Sequence, residues 1–297
     1  MGGGTWTSTS FTSYSTSVGK TVSNGVVLNN NLQDLYRSRN LQPELNPYNV
    51  MRECCDSAEH PNTIPVILGL DVTGSMGSGA MEVSKKLNVV MTQLYEQVTD
   101  VEFLVMGIGD LAYDRAPIQT SQFESDIRIA EQLDKVYFEG GGGGNNYESY
   151  TAAWYFGLRH TKLDCWKRGQ KGIIITTGDE PLNPYLPKTK LTQVFGDNLQ
   201  SDVSTDDLYK SVIEKFDIYH LAVNDISTSY SYYADRIASS WGKYLDNEHL
   251  RIVTLDNIVP TIVSIIVSNN TANDTTFNTT QSDTTKDNVL GHNIIKW

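Results

Sequence analysis

The sequence predicts an α/β fold in which a doubly wound, mostly parallel sheet carries helices on both faces. From residue 62 to residue 271, short apolar runs alternate with amphipathic windows, which is the pattern of a strand–helix–strand chain. The runs "VILGL" and "GIIIT" are apolar at every position, as in strands that helices cover on both sides. We therefore expect one domain of the Rossmann-like class over residues 62–271.

The strands of this domain are predicted at "PVILGLDV", "VEFLVMGIGD", "DKVYFE", "GIIITTGDE", "DIYHLAV" and "RIVTL". Helices are predicted between and after them, at "GAMEVSKKLNVVMTQLYEQV", "ESYTAAWYFGLRHTKL", "STDDLYKSVIEKF", "SYYADRIASSWGKYL" and "NIVPTIVSIIVSN". The first helix is favoured by an apolar stripe at i, i+3 and i+4 spacing, the signature of a helix that covers a sheet. Its members are Met81, Leu87, Val90, Met91, Leu94 and Val98.

The segments on either side of the domain have a different composition. Residues 1–61 are rich in Gly, Ser, Thr and Asn and lack periodicity, so they are interpreted as an irregular N-terminal arm. Its isolated aromatics, among them Trp6, Phe11 and Tyr14, indicate that the arm docks onto another surface. Residues 272–297 are polar and of low complexity, and we expect a tail that closes on a small anchoring segment, "NIIKW".

Composition excludes several classes of protein. The formal net charge of -12 argues against a nucleic-acid partner, because affinity for phosphates requires clustered Lys and Arg. No apolar run approaches the roughly 20 residues of a membrane helix, so no membrane insertion is expected. No secretory signal is visible, and the three cysteines lack disulfide or metal spacing. The expected location is cytoplasmic, in a bacterial or host cell, with association with a virion as the alternative.

Oxygen-bearing side chains follow three of the predicted strands. The first exit carries Asp71, Thr73 and Ser75, and the exit with the glycine run Gly140–Gly144 carries Asn145 and Glu148. The third carries Thr177, Asp179 and Glu180. Ligands of parallel sheets bind outside the carboxyl ends of the strands, and hard oxygen ligands suit Mg²⁺ or Mn²⁺. The sequence therefore predicts a divalent-cation site at this edge.

These three loops resemble those of a von Willebrand factor A (vWA) domain with its metal ion-dependent adhesion site. The motif "DVTGSMG" after an apolar strand, the glycine-rich second loop and "TTGDEP" carry the resemblance. Asp71 and Ser75 match the family's first loop directly, and Thr73 replaces a serine with the same hydroxyl group. Asp179 matches the third-loop aspartate with a one-residue shift in spacing. The family's second-loop threonine is missing, and Asn145 is its nearest counterpart.

The resemblance implies a protein-binding module that works in adhesion or assembly and depends on a divalent cation. The expected ligands are Asp71, Thr73, Ser75, Asn145 and Asp179, with one position open for an acidic residue of a protein partner. A partner contact, or a place behind the ligands, is expected for Asp110, Glu148 and Glu180. The stretch "RECCDSAEHPNTIPVILGLDVTGSMG" also resembles uncharacterised bacterial and phage proteins of this class.

Other functions stay open as alternatives. The chain is also interpreted as a structural or accessory component of a phage particle, or as a subunit of an ATPase-linked assembly of the chaperone or chelatase type. An enzyme is not expected, because "GSMGSGA" lacks the lysine of a phosphate-binding loop and no nucleophile elbow with a helpful histidine is present. Asp110 and Asp114 are interpreted first as solvated loop acids, and Tyr150 as a core residue.

Overall fold

A six-stranded sheet forms the centre of the computed structural model, which describes residues 4–140, 144, 145, 147–225 and 228–271. Its strands, numbered along the chain, are β1 (Ile64–Asp71), β2 (Val101–Ile108), β3 (Ile118–Thr120), β4 (Gly172–Gly178), β5 (Phe216–Val223) and β6 (Leu250–Val253). Their order across the sheet is β6-β5-β4-β1-β2-β3. Only β3 runs antiparallel to its neighbour; the other pairs are parallel.

Helices surround the sheet. They are α1 (Ser8–Ser17), α2 (Leu32–Leu35), α3 (Gly77–Tyr95), α4 (Arg128–Leu133), α5 (Thr151–Arg159), α6 (Lys188–Phe195), α7 (Thr205–Val212), α8 (Thr228–Trp241) and α9 (258–271). Short 3₁₀ turns lie at Pro43–Leu45, Asp164–Arg168 and Leu255–Asn257. Within the described ranges, three two-stranded pairs lie outside the main sheet: Val22–Ser23 with Val26–Val27, Arg52–Cys54 with Thr161–Leu163, and Tyr185–Leu186 with Val203–Ser204.

Both faces of the sheet are buried. On β1, Val66, Leu68 and Leu70 point into a core shared with α3 and α9, whereas Ile67 points into a second core shared with α5, α6, α7 and α8. Side chains on a strand alternate between the two faces, so an all-apolar strand requires a helix layer on each side. The expected doubly wound, mostly parallel α/β fold is confirmed.

Some predicted elements differ from the structure. The segment "DKVYFE" forms no strand: it follows α4 and contributes one isolated bridge, between Tyr137 and Ser38. Conversely, β3, α4 and α6 were not predicted. The first two elements have three and six residues, which is too short for a periodic pattern to emerge.

The N-terminal arm is more regular than expected and packs onto the domain. It contains α1, which Thr7 caps by accepting from the Ser10 backbone N–H at 3.1 Å. Trp6 and Phe11 are buried in the core beside α3, and the Trp6 Nε1–H donates to Asn88 Oδ1 at 3.0 Å. The surface on which the arm docks is therefore this chain's own α/β layer. The domain boundaries themselves stay a prediction, and the tail 272–297 lies outside the described residues.

Sheet order determines where a site can form. The order reverses between β1 and β4, since the chain builds outward from β1 to β2 and β3, and then from β4 to β5 and β6. In doubly wound sheets, a crevice opens at such a reversal, outside the carboxyl ends of the strands. Asp71 ends β1, and Asp179 follows the last residue of β4. Among the described residues, no helix is long and apolar enough to cross a membrane.

A buried ion pair fixes the arm to the end of α4. Lys20 of the arm pairs with Asp134 at the end of α4, and their side chains are 5% and 7% exposed. The Tyr14 hydroxyl donates to Asp134 Oδ2 at 3.0 Å. Burial raises the pKa of Asp134, while Lys20 acts to lower it. The ionised form of Asp134 therefore depends on the ammonium group of Lys20.

We expect Lys20→Met to lower the free energy of unfolding by about 3–5 kcal/mol, because it leaves the buried Asp134 carboxylate without its cation. Urea unfolding followed by tryptophan fluorescence measures the loss. Lys135→Met is the matched control, since Lys135 pairs with Glu44 on the surface, where the two side chains are 44% and 47% exposed, and should cost less than about 1 kcal/mol. Equal losses in the two variants would contradict the assignment.

Candidate functional site

The exit of β1 forms a tight polar turn. Asp71 is fully buried, and its Oδ1 accepts from both the backbone N–H and the hydroxyl of Thr73, at 2.9 and 2.7 Å. This is an Asx turn, in which an aspartate side chain accepts from the backbone N–H two residues further along the chain. Such a turn reverses the direction of the chain locally. Gly74 is then exposed and Ser75 half-buried before α3 begins at Gly77. The turn therefore begins at the buried Asp71 and reaches solvent at Gly74.

The exit of β4 meets this turn. Leu70 of β1 lies in register with Thr177 of β4, so the residues that follow leave the sheet side by side. Asp179 is fully buried, and its Oδ1 accepts from the Ser75 hydroxyl at 2.9 Å. The structure therefore brings together four of the five predicted ligands: Asp71, Thr73, Ser75 and Asp179. Their role as metal ligands stays a prediction.

Tyr150, which is predicted from the sequence to be a core residue, also reaches the site. Its hydroxyl donates to Asp71 Oδ2 at 2.7 Å, while its ring packs on His220 and Trp241 with centroids 5.0 and 5.6 Å away. A buried tyrosine requires a hydrogen-bond partner for its hydroxyl. That requirement is the feature of the sequence that could have predicted a polar contact for Tyr150. Gly178 provides the space, because a Cβ there would lie 2.0 Å from the Tyr150 oxygen.

Glu148 of the second loop faces the same carboxylates. It is 4% exposed, and its Oε2 has no hydrogen-bond partner among the described residues. Burial raises the pKa of this carboxyl, and the charges of Asp71, Asp114, Asp110 and Glu180 raise it further. Burial and the neighbouring Asp179 likewise raise the pKa of Asp71. Glu148 lies beside the loop that follows β2, because the backbone N–H of the next residue, Ser149, donates to the Gly109 carbonyl at 3.2 Å, and it forms an isolated bridge with Leu182 after β4.

Asn145, the fifth predicted ligand, lies beside Asp110. Its Oδ1 accepts from the Tyr147 backbone N–H at 3.2 Å, and its amide acts to lower the pKa of Asp110. No described contact joins Asn145 to Asp71. The rest of the glycine loop, Gly141–Gly143, and Asn146 lie outside the described residues, so the close-approach role expected for that loop stays a prediction.

Asp110 is buried, so its interpretation as a solvated loop acid is wrong. It is 2% exposed because its loop folds back on itself: Asp110 Oδ1 accepts from Ala112 N–H at 2.7 Å, and Asp114 Oδ2 accepts from Asp110 N–H at 2.7 Å. Ser149 closes the loop from above by accepting from Leu111 N–H at 3.0 Å. Asp114 is half-buried, and burial raises its pKa to about 6.

Six carboxyl groups thus collect at the carboxyl edge of the sheet. We define this acidic cluster as Asp71, Asp110, Asp114, Glu148, Asp179 and Glu180. Burial, Asp179 and Asp71 raise the pKa of Glu180 to about 7. Lys190 acts to lower the pKa of Asp110, and Arg236 acts to lower that of Glu180. Buried carboxylates are stable only when a cation or hydrogen bonds compensate them, so the cluster favours binding of cations.

The donor groups at the β1 and β4 exits fit a hard divalent cation. In the described part of the chain, no three side chains of His, Cys, Asp or Glu are grouped as a ready-made metal site, so a cation here requires hydroxyl, amide or water oxygens as well. Thr73 and Ser75 provide hydroxyls that already donate their protons to Asp71 and Asp179. Each hydroxyl oxygen retains lone pairs for a cation, as Mg²⁺ or Mn²⁺ would require.

Comparison with known proteins gives structural neighbours only. No family model and no curated protein matches the sequence. Similar solved structures include a pilus adhesin, SpaC from Lactobacillus rhamnosus GG, with 10% identity and a TM-score of 0.48, over 75% of this chain and 32% of that one. The chain therefore spans about a third of the length of that adhesin structure.

Two further neighbours are vWA domains, the family that the sequence resembles. The vWF domain of the type V pili tip protein Mfa5 from Porphyromonas gingivalis has 12% identity and a TM-score of 0.43, covering 71% of this chain and 96% of that one. The SpRpn10 VWA domain has 10% identity and a TM-score of 0.39, covering 68% and 94%. Because all three TM-scores are below 0.5, the fold assignment rests on this chain's own strand order and polarity.

We expect Gly178→Ala to destabilise the protein by about 1–3 kcal/mol, the usual cost of overpacking, because the added methyl group collides with the Tyr150 hydroxyl. Thermal unfolding measures the loss. The matched control is Gly77→Ala, where the new Cβ would lie 3.8 Å from its nearest neighbour, a Leu32 methyl group. That change should be neutral or stabilising by up to about 1 kcal/mol. A neutral Gly178→Ala variant would show that Tyr150 is not held as described.

Proposed function

We propose that this chain is a divalent-cation-dependent protein-binding module. The observation that carries the proposal is the pairing of two fully buried carboxylates, Asp71 and Asp179, with the hydroxyls of Thr73 and Ser75 where β1 and β4 leave the sheet. These groups come from loops that are more than 100 residues apart in the chain, as the 104-residue separation of the Ser75–Asp179 contact shows.

Each residue of this arrangement would have a definite role. Thr73 and Ser75 would bind Mg²⁺ or Mn²⁺ through their hydroxyl oxygens, while Asp71 and Asp179 hold those hydroxyls in place and supply compensating charge. Tyr150 holds the second oxygen of Asp71 and so fixes the orientation of its carboxylate. The bound cation supplies an electrophilic position for a carboxylate of a protein partner. No catalytic step is part of this proposal.

The surroundings of the site support a protein partner. The segments that follow β2 and β4 carry the tyrosines Tyr113 and Tyr185, which are 60% and 49% exposed. Exposed tyrosines are enriched in protein interfaces, where they contribute a large contact area and a hydroxyl. Tyr113 lies against Gly144, with its Cζ, Cε1 and hydroxyl oxygen 3.6–3.7 Å from the position of a Cβ on that glycine. A partner that reaches the cation with an acidic side chain would meet these rings.

Asp71→Asn is expected to weaken Mg²⁺ binding at least about tenfold, in the range seen when a group that orients metal ligands is lost. The amide keeps the size of the side chain and removes its charge. Isothermal titration calorimetry on the full chain measures the affinity, and melting curves in EDTA establish that the variant folds.

The control for this experiment is Glu96→Gln, which removes an exposed carboxylate at the end of α3, remote from the carboxyl edge of the sheet. It should bind Mg²⁺ as tightly as the unaltered chain. Undiminished affinity in Asp71→Asn, with both variants folded, would remove Asp71 from the site.

Removal of the cation should release the partner. We expect proteins captured by the immobilised full chain in Mg²⁺ to be lost on addition of EDTA, to return when Mg²⁺ is restored, and to be absent from an Asp71→Asn column. Quantitative mass spectrometry of the eluates checks all three conditions. Partners retained equally in EDTA and on the Asp71→Asn column would contradict cation-dependent recognition.

A further inference from the structure

The N-terminal arm passes beside the candidate site rather than away from it. A methyl group of Leu32, in α2, lies 3.8 Å from the position of a Cβ on Gly77, the first residue of α3. Gly77 follows Ser75 of the polar turn by only two residues. Further along the arm, Ser38 forms an isolated bridge with Tyr137. The arm therefore borders the part of the molecule in which β1 leaves the sheet.

The arm then reaches the loop after β2 and the end of α6. Arg115, in that loop, donates from Nη2 to Asn40 Oδ1 of the arm at 3.4 Å. The backbone N–H of Asn49 donates to the carbonyl of Phe195, the last residue of α6, at 2.9 Å. Three separate pieces of chain, namely residues 40–49, the loop after β2 and α6, therefore meet here.

A groove of about 200 Å³ opens where these three pieces meet, and we call it the arm groove. Its apolar lining consists of Leu41, Pro47, Leu111, Pro117, Ile118 and Val194. Asp114 also lines it, and Asp114 Oδ2 accepts from the backbone N–H of Asp110 at 2.7 Å. The arm groove is thus continuous with the loop that carries Asp110 of the acidic cluster.

The size of the arm groove indicates what it can hold. Pockets for small molecules and cofactors usually have volumes of about 300–1,000 Å³, so this one is too small for them and suits one or two side chains. Tyr48 lines the groove and is 51% exposed, and Tyr113 of the adjoining loop is 60% exposed. Small pockets beside exposed aromatic rings are typical places for the anchoring side chain of a protein partner.

The charges at the arm groove indicate the neighbours of that side chain. Among the described residues that line it, Arg115 and Lys190 are basic and Asp114 is acidic. Arg115 is exposed, and Lys190 donates from Nζ to the Ala112 carbonyl at 3.1 Å. The groove thus carries an excess of positive charge, although the whole chain has a net charge of -12. This charge is complementary to an acidic segment of a partner.

We propose that the arm groove receives an apolar side chain from an acidic segment of the protein partner, and that an acidic residue of the same segment binds the cation. This inference rests on the proposed function and names the chemistry of its partner. Arm residues such as Leu41, Pro47 and Tyr48 form one wall of the groove. The arm therefore contributes to the choice of partner as well as to the stability of the domain.

The test begins with a phage-displayed library of random dodecapeptides, selected on the immobilised full chain in Mg²⁺. Bound phage are eluted first with EDTA and then with acid. The EDTA eluate should be enriched in sequences that combine an acidic residue with an apolar residue at a constant spacing. The most enriched sequence is then synthesised with a fluorescein label, and fluorescence polarisation measures its affinity for the chain.

Variants of the arm groove should weaken binding of that peptide and leave Mg²⁺ affinity, measured by calorimetry, unchanged. Tyr48→Ala should weaken it at least about tenfold, as for an interface anchor. Arg115→Glu should weaken it about two- to fivefold, the range of an exposed ion pair. The matched controls are Ile252→Ala and Arg251→Glu on β6, at the opposite edge of the sheet from β3. Both controls should bind the peptide like the unaltered chain.

The outcomes separate this inference from the proposed function. EDTA-eluted peptides that bind Tyr48→Ala and Arg115→Glu with full affinity would overturn the groove and leave the proposed function intact. Peptides that resist EDTA but bind Tyr48→Ala weakly would support the groove and contradict cation dependence. If Tyr48→Ala does not fold by circular dichroism, Gln193→Glu replaces it, since Gln193 is an exposed groove residue of α6.

Two further results would also overturn the proposal. One is the absence of any enriched sequence from both eluates. The other is self-association of the chain, seen by light scattering as a mass that rises with concentration and that Tyr48→Ala abolishes, because a second copy would then occupy the groove.

Discussion

The burial of Asp71 at the end of a central parallel strand is the constraint on which the rest of the site depends. A carboxylate without solvent must receive hydrogen bonds or a cation, and this one receives three hydrogen bonds from Thr73 and Tyr150. Each of those bonds imposes a further requirement. Thr73 must turn back immediately after the strand, and Tyr150 must pass over a strand residue that has no side chain, which is Gly178.

Sheet order explains why loops remote in the chain converge here. The two strands that begin the two halves of the fold lie side by side, so the loops after them have no helix between them. The loop after β2 joins from one side, and the segment before α5 closes over it through Ser149. The polar side chains therefore come from four places in the sequence but occupy one edge of the sheet. There, each carboxylate raises the pKa of its neighbours.

The sequence was sufficient for some parts of this arrangement and insufficient for others, for physical reasons. Asp71, Thr73, Ser75 and Asp179 could be placed together because parallel strands share a carboxyl edge, a rule that needs only strand positions. The burial of Asp110 depends on how its loop folds back, and the role of Tyr150 depends on a gap left by Gly178; neither is a local property of the sequence. The helix α1 was missed because its stabilising contacts, those of Trp6 and Phe11 beside α3, come from outside it.

The anchoring of the N-terminal arm has a consequence for how the chain responds to cleavage. Trp6 and Phe11 share a hydrophobic core with α3 and α9, and Lys20 is tied to Asp134 from within that layer. Contacts of this kind hold the halves of a protein interior together without help from the covalent backbone. A protease that nicked the connection near residue 61 would therefore yield two fragments that migrate as one particle until a denaturant separates them.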